Sequence, residues 1–108
     1  MKDLVIGGET PSFAVPAEVA QISKLLEKVV LPSLDMLSKL EAQKKILAGG
    51  LPAGKREFIF ILEASSNEEV DKLVRDIPIW GSMKWQVTPL QTFGGRADME
   101  RSVIEKLK

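Results

Sequence analysis

The chain has 108 residues, 44% of them hydrophobic, and its 15 basic side chains balance its 15 acidic ones, so the formal net charge is zero. It contains no Cys, no His and no Tyr. These absences exclude disulfides, thiol nucleophiles, His-based triads and imidazole metal ligands. The chain also lacks the excess of cations that a general nucleic-acid binder needs. Any side-chain chemistry must therefore use carboxylates, Lys, Arg or hydroxyls.

The first half of the chain predicts a strand followed by a long helix. Residues 4–6 are apolar and are closed by a glycine pair, which is typical of a short strand. Apolar side chains then recur at helical spacing over residues 17–44. Pro32 lies inside this stretch, and because proline lacks an amide donor it must kink or divide the helix. Residues 45–48 form a weak second strand that ends at Gly49 and Gly50.

The second half predicts two more strands and two more helices. Residues 57–63 form the clearest strand, and its centre is apolar on both faces, which is typical of strands that are covered on both sides. Ser66 and Glu69 match a capping box at the start of a helix. Residues 83–88 alternate as a half-buried strand, and Pro89, which follows them, is tolerated only at a sheet edge or at the end of a strand. After a second glycine pair, residues 96–108 form a terminal helix.

The order of these elements predicts an α+β fold of the ferredoxin-like βαββαβ type, with helices on one face of an antiparallel sheet. We expect a domain over residues 1–95 and a helical extension over 96–108 that packs on the domain or on a neighbouring subunit. The open sheet face predicts a homodimer, as a dimeric α/β barrel, or a higher homo-oligomer. No apolar run approaches the roughly 20 residues of a membrane span, so we expect a cytoplasmic protein without membrane contact.

Four short segments carry a resemblance to the muconolactone isomerase family: Ala53-Gly54, Ser66-Asn67-Glu68-Glu69, Ile77-Pro78-Ile79-Trp80 and Val87-Thr88-Pro89-Leu90. The resemblance implies a ferredoxin-like subunit, an intimate dimer, and a small hydrophobic pocket between the sheet and the long helix. It also implies isomerisation of an unsaturated lactone by proton transfer, with no metal or organic cofactor. The chain departs from the family in its second strand, where residues 46–51 lack the family's aromatic and basic side chains.

Proton transfer needs an acid or base and a group that stabilises enolate charge. Asp35, close to the bend at Pro32, is the candidate acid or base; its alternative is an exposed helix residue. Arg56 and Lys55 are the candidate anion clamp, since guanidinium can bind both oxygens of a carboxylate. Their alternative is a solvated strand start. Ser33 is the candidate hydrogen-bond donor.

The candidate ligand wall consists of three large apolar side chains, Trp80, Met83 and Trp85. Met36 is a further ligand-binding candidate, which the family resemblance places on the pocket side of the long helix; its favoured alternative is packing, since Met often fills irregular gaps. The alternative for the tryptophans is packing in the core or the dimer interface, which we favour for aromatic residues in a small domain. Residues 49–55 match the spacing of a phosphate-binding loop, but Arg56 replaces its Ser or Thr and a strand follows instead of a helix. We therefore expect an interstrand loop there.

The sequence leaves three functional hypotheses open. The first is an isomerase of the muconolactone isomerase type that binds a compact, mostly apolar acid or lactone without a cofactor. The second is a non-catalytic dimeric barrel that binds a ligand or serves a structural role and has lost the family's catalytic residues. The third is a partner-docking function for residues 96–108.

Overall fold

The computed structural model describes residues 1–10 and 18–108. They form a four-stranded antiparallel sheet in the order β2-β3-β1-β4. The predicted ferredoxin-like βαββαβ arrangement and the terminal helix are confirmed. The elements in chain order are β1 (Lys2–Glu9), α1 (Val19–Leu25), a π-helical turn (Leu26–Val30), α2 (Leu31–Ala42), β2 (Ile46–Gly50), β3 (Phe58–Glu63), α3 (Asn67–Arg75), a 3₁₀ turn (Trp80–Ser82), β4 (Met83–Leu90) and α4 (Phe93–Leu107).

The first strand is longer than predicted at both ends. It continues through the glycine pair to Glu9, so the expectation that the pair closes the strand was wrong. Gly7 lies under the Trp85 ring, where a Cβ would come within 2.4 Å of a ring carbon, and only glycine fits. At the other end the strand includes Asp3, whose buried carboxylate has no hydrogen-bond partner among the described residues.

The second strand also runs through its glycines, to Gly50 rather than to residue 48 as predicted. Gly49 lies against the neighbouring strand, and a Cβ there would come within 2.5 Å of the Phe60 Cβ. Gly49 is therefore a packing feature of the β2–β3 contact, whereas the Cβ position of Gly50 faces open space. A strand and not a helix follows the loop, as the sequence predicts.

The long helix is continuous from Val19 to Ala42, and the predicted start at residue 17 lies outside the described residues. Its interruption is a π-helical turn directly before Pro32, where the Leu31 amide donates to the Leu26 carbonyl. A π turn commonly accommodates a break in the regular hydrogen-bond ladder. The helix is therefore interrupted close to the predicted position, but it is not divided.

The third strand separates the two faces of the sheet. Phe58, Phe60 and Leu62 are buried with side chains of α2 and α3 in the hydrophobic core. Ile59 and Ile61 alternate with them and point to the opposite face, where they are half-buried. Because Leu4 and Ile6 lie across from Ile61 and Ile59 in β1, this second face, here called the open sheet face, has an apolar centre.

The third helix begins as predicted. Ser66 is its N-cap, and the Ser66 hydroxyl accepts a hydrogen bond from the Glu69 amide at 3.1 Å. Val70 and Val74 are then buried against the sheet, so the apolar side of α3 is covered.

The fourth helix begins at Phe93, earlier than the predicted residue 96. Thr92 is its N-cap and accepts a hydrogen bond from the Gly95 amide at 3.0 Å, so the second glycine pair lies in the first helical turn. Every residue of α4 except Ala97 is exposed. The preceding strand β4 is an edge strand, as its proline predicts.

Candidate functional site

Two small cavities lie side by side between the long helix and the sheet. The first, here called the helix–sheet cavity, has a volume of about 140 Å³, and the second about 160 Å³. Leu51 and Phe58 line both of them. An apolar cavity of about 150 Å³ can hold one benzene ring. The lining of the helix–sheet cavity is Ile22, Leu25, Leu26, Val30, Leu51, Lys55, Arg56, Phe58, Ile79 and Met83.

The loop between β2 and β3 brings two cations to this cavity. The Lys55 amide donates to the Pro52 carbonyl at 3.1 Å, which closes a turn. Gly54 adopts a left-handed conformation in that turn, with φ of 77°, which favours glycine. The turn places Lys55 and Arg56 in the cavity lining, so the predicted anion clamp lies beside an apolar space.

Arg56 has a carboxylate neighbour that the sequence analysis missed. Its Nη1 atom lies 3.6 Å from Oε1 of Glu9, and the two side chains are 57% and 44% exposed. Such an exposed ion pair contributes little to stability, about 0–1 kcal/mol. An anionic ligand can therefore compete for Arg56. The β1–β3 register pairs Gly7 with Phe58, the first residue of β3, and continuing it by two residues places Glu9 opposite Arg56 in the segment that leads into the strand.

Ser33 is buried where the long helix meets the segment after α3. Its hydroxyl donates to the Val29 carbonyl at 2.7 Å and accepts from the Ile79 amide at 3.0 Å. The single hydroxyl proton is therefore engaged within the protein. This residue links two elements, and its predicted role as a donor to a ligand stays a prediction.

Asp35 is exposed on α2. It lines neither the helix–sheet cavity nor the second cavity beside it. The structure therefore does not bring its carboxylate together with Arg56 at a common cavity. Met36, the next residue, is half-buried and packs against the hydrophobic core. The catalytic assignment of Asp35 stays a prediction.

The predicted apolar wall is only partly assembled. Met83 lines the helix–sheet cavity. The two tryptophans do not line it and pack against the hydrophobic core. Trp85 stacks on Phe58 with a ring-centroid distance of 6.2 Å, and its indole nitrogen donates to the Trp80 carbonyl at 3.0 Å. The Arg75 guanidinium lies 4.8 Å from the centre of the Trp80 ring. The favoured alternative for the tryptophans, packing, agrees with these contacts.

Over residues 1–10 and 18–108, no group of three or more Asp, Glu, His or Cys side chains is arranged to hold a metal ion. In the same part of the chain no helix is long and apolar enough to cross a membrane.

Two solved structures share this architecture. A muconolactone isomerase is 16% identical, with 85% of this chain and 90% of that chain covered and a TM-score of 0.64. A 5-chloro-2-hydroxyhydroquinone dehydrochlorinase from Burkholderia phenoliruptrix, in complex with 2,5-dihydroxybenzoquinone, is 23% identical, with 84% and 94% covered and a TM-score of 0.56. At these identities the similarity shows the fold. No curated protein sequence matched the chain.

The family model described as muconolactone delta-isomerase matches residues 12–95, from before the long helix to the first turn of α4. The match covers all four segments that carry the sequence resemblance. Most of α4 lies beyond it. The chain therefore belongs to the muconolactone delta-isomerase family.

Proposed function

We propose that this protein binds a small cyclic organic acid or lactone in the helix–sheet cavity and isomerises it by proton transfer without a cofactor. The observation that carries the proposal is an apolar cavity of about 140 Å³ whose lining contains Lys55 and Arg56. The cavity has room for one small ring, and a guanidinium at its wall suits a carboxylate or a developing enolate. Membership of the muconolactone delta-isomerase family supports the same reaction class.

The chemistry requires that a base remove a proton from carbon and that the proton return at a different carbon. The negative charge that develops on the carbonyl oxygen is stabilised by a nearby cation, for which Arg56 and Lys55 are the candidates. Glu9 does not line the helix–sheet cavity, but it forms an ion pair with Arg56, which does, and it is therefore the candidate to carry the proton. Asp35, the carboxylate proposed from sequence, is tested beside it.

A second candidate function is ligand binding without catalysis. Two observations favour it: the Ser33 hydroxyl proton is engaged by Val29, and Asp35 is exposed away from the helix–sheet cavity. Ser33 and Asp35 could each reach a ligand in the helix–sheet cavity only if the structure rearranged around them.

Titration with muconolactone, followed by calorimetry and by product formation, tests both candidates. We expect Arg56→Gln to weaken binding at least tenfold, because the neutral glutamine side chain cannot form the bidentate ionic contact that a guanidinium makes with a carboxylate. Arg101→Gln, which removes an exposed arginine of α4, is the matched control and should leave binding unchanged. Failure of the wild-type protein to bind muconolactone would overturn the proposal.

Turnover separates the two functions. If wild-type protein isomerises muconolactone, Glu9→Gln should lower kcat at least tenfold and Asp35→Asn should leave it nearly unchanged. The reverse result would return the role to Asp35. Binding without turnover would select the non-catalytic function.

We also propose that a second copy of the chain covers the open sheet face, because its centre consists of Leu4, Ile6, Ile59 and Ile61. Sedimentation equilibrium of the wild-type chain should give a dimer mass at micromolar concentration. Ile61→Lys should weaken the dimer strongly, since it places an unpaired charge in the interface. A monomer in the wild-type protein would contradict this proposal.

A further inference from the structure

The fourth helix carries exposed apolar side chains that no described residue of its own subunit buries. At 100° per residue, one side of its C-terminal half, here called the apolar stripe, consists of Met99, Val103, Ile104 and Leu107, whereas Ser102 falls on the opposite side. Arg96 and Glu100, which form an ion pair, separate this stripe from Phe93. Ile104 is 54% exposed and Leu107 is 81% exposed. A cluster of exposed large apolar side chains commonly marks an interaction surface.

The dimensions of the chain agree with a helix that extends away from the domain. The Cα radius of gyration is 17.8 Å, whereas a compact domain of this length has about 13 Å. The principal extents are 68 × 30 × 26 Å. The 15 residues of α4 span about 22 Å as a helix, a substantial part of this elongation.

The exposed area is large enough for an interface that extends beyond the open sheet face. The accessible surface of the chain is 7766 Å², whereas a compact monomer of the same mass exposes about 6,000 Å². The excess exceeds the roughly 800 Å² that each partner buries in a standard interface. The four strands of the open sheet face have a footprint of only about 430 Å². A dimer that buried the sheet face alone would leave much of the excess exposed.

The position of α4 connects it to the same interface. Its first residue, Phe93, follows Leu90 by three positions, and Leu90 is 41% exposed at the end of the edge strand β4. By strand alternation from the buried Met83, Leu90 faces the open sheet face. Only Gln91 and Thr92 separate Leu90 from α4 along the chain, so a copy seated on the open sheet face would lie close to the start of the helix.

We propose that α4 is an arm that packs its apolar stripe on a second copy of this chain and so enlarges the dimer interface of the open sheet face. The inference rests on the proposed dimer, and it requires no ligand. Most of this arm lies outside the region that matches the family model, which ends at residue 95.

A thiol-protection experiment tests the arm, because the chain contains no cysteine and an introduced one is the sole thiol. The variant Ile104→Cys reports the apolar stripe, and Ser102→Cys, on the opposite side of the same helix, is the matched control. Above the dimer dissociation constant we expect the Ile104→Cys thiol to react with a maleimide at least tenfold more slowly than the control thiol. Below that concentration the two rates should become equal.

The other outcomes overturn the inference in distinguishable ways. Protection of Ile104→Cys that persists on dilution would mean that α4 packs on its own chain. Equal rates in a sample that sedimentation shows to be dimeric would refute the arm and leave the sheet dimer intact. A monomeric sample would refute both the arm and the sheet dimer. The muconolactone titration would still decide whether the protein binds a ligand.

An independent pair of variants guards against effects of the thiol itself. Ile104→Lys should raise the dimer dissociation constant at least tenfold, and Ser102→Lys, which adds the same charge to the same helix, should leave it unchanged. Equal effects of the two lysines would contradict a role for the apolar stripe.

Discussion

Helices α3 and α4 start from the same local signal and end in different environments. Ser66 caps α3 at 3.1 Å and Thr92 caps α4 at 3.0 Å, each through a hydroxyl that accepts an amide of the first turn. Helix α3 buries two valines against the sheet, whereas α4 buries no residue. The difference shows that capping and periodicity decide where a helix forms, while the partner of its apolar side depends on the surface that surrounds it.

The largest expected difference between the helices concerns valine truncation. Val74→Ala should lower the free energy of unfolding by about 2–3 kcal/mol, since it removes two buried methyl groups and leaves a cavity. Val103→Ala, the same change on α4, should cost less than about 0.5 kcal/mol in the monomer. Urea unfolding at protein concentrations below the dimer dissociation constant measures both. Equal losses would mean that α4 is packed in the isolated subunit.

The caps should differ in the kind of effect as well as in size. Ser66→Ala should lower the global free energy of unfolding by about 1 kcal/mol, because α3 unfolds together with the core that it covers. Thr92→Ala should mainly promote fraying of α4, because that helix packs little of its surface against the rest of the subunit. Hydrogen exchange of α4 amides in the monomer measures local fraying, and the urea midpoint measures the global loss of stability. A global loss for Thr92→Ala would contradict the comparison.

The smallest expected effect is a pH dependence in α3. A hydrogen bond from the Ser65 hydroxyl, at 2.6 Å, lowers the pKa of Glu69 below its usual 4.5, and Lys45 acts in the same direction. Because the folded pKa lies below the unfolded one, ionised Glu69 stabilises the fold above about pH 4.5, and the contribution is lost as the pH falls through the lowered folded value.

Acid-unfolding curves measure this contribution. Glu69→Gln should remove it and so reduce the loss of stability between neutral and acidic pH. Glu100→Gln, a change of the same type on exposed α4, is the matched control and should leave the global curve unchanged. Identical curves for wild type and Glu69→Gln would contradict the assignment.

Much of the fold could be predicted from local patterns. The capping box at Ser66, the two-sided apolar strand around Phe60, and the proline in the edge strand each have a local physical cause. The order of the elements then leaves few topologies, of which the ferredoxin-like one is observed.

The glycines were harder to interpret from sequence. A glycine pair after an apolar run predicts strand ends at Gly7 and Gly49, but these residues allow the close approach of Trp85 and Phe60 from neighbouring strands. That function depends on contacts between residues far apart in the chain. The shortened first strand is also the reason that Glu9 was not recognised as the neighbour of Arg56.

The candidate site also contains some residues that sequence alone can identify and others whose contacts depend on the tertiary structure. Lys55 and Arg56 could be singled out by residue type, and the structure places both beside the helix–sheet cavity. The family resemblance implies a pocket location for Ser33, and its hydroxyl joins the Val29 carbonyl to the Ile79 amide, a contact between residues 46 positions apart. Hydrogen-bond partners of that kind have no local signature in the sequence.

The sequence by itself excluded thiol, imidazole and phenol chemistry, and it determined the fold class, because residue inventory, periodicity and caps are local properties. Only the tertiary structure decided which side chains meet, since β1–β3 pairing brings Glu9 to Arg56 and helix–sheet packing forms the cavity. It also left the apolar side of α4 uncovered while that of α3 became core. The physical reason is that hydrophobic burial depends on the whole surface a chain assembles and not on any one segment.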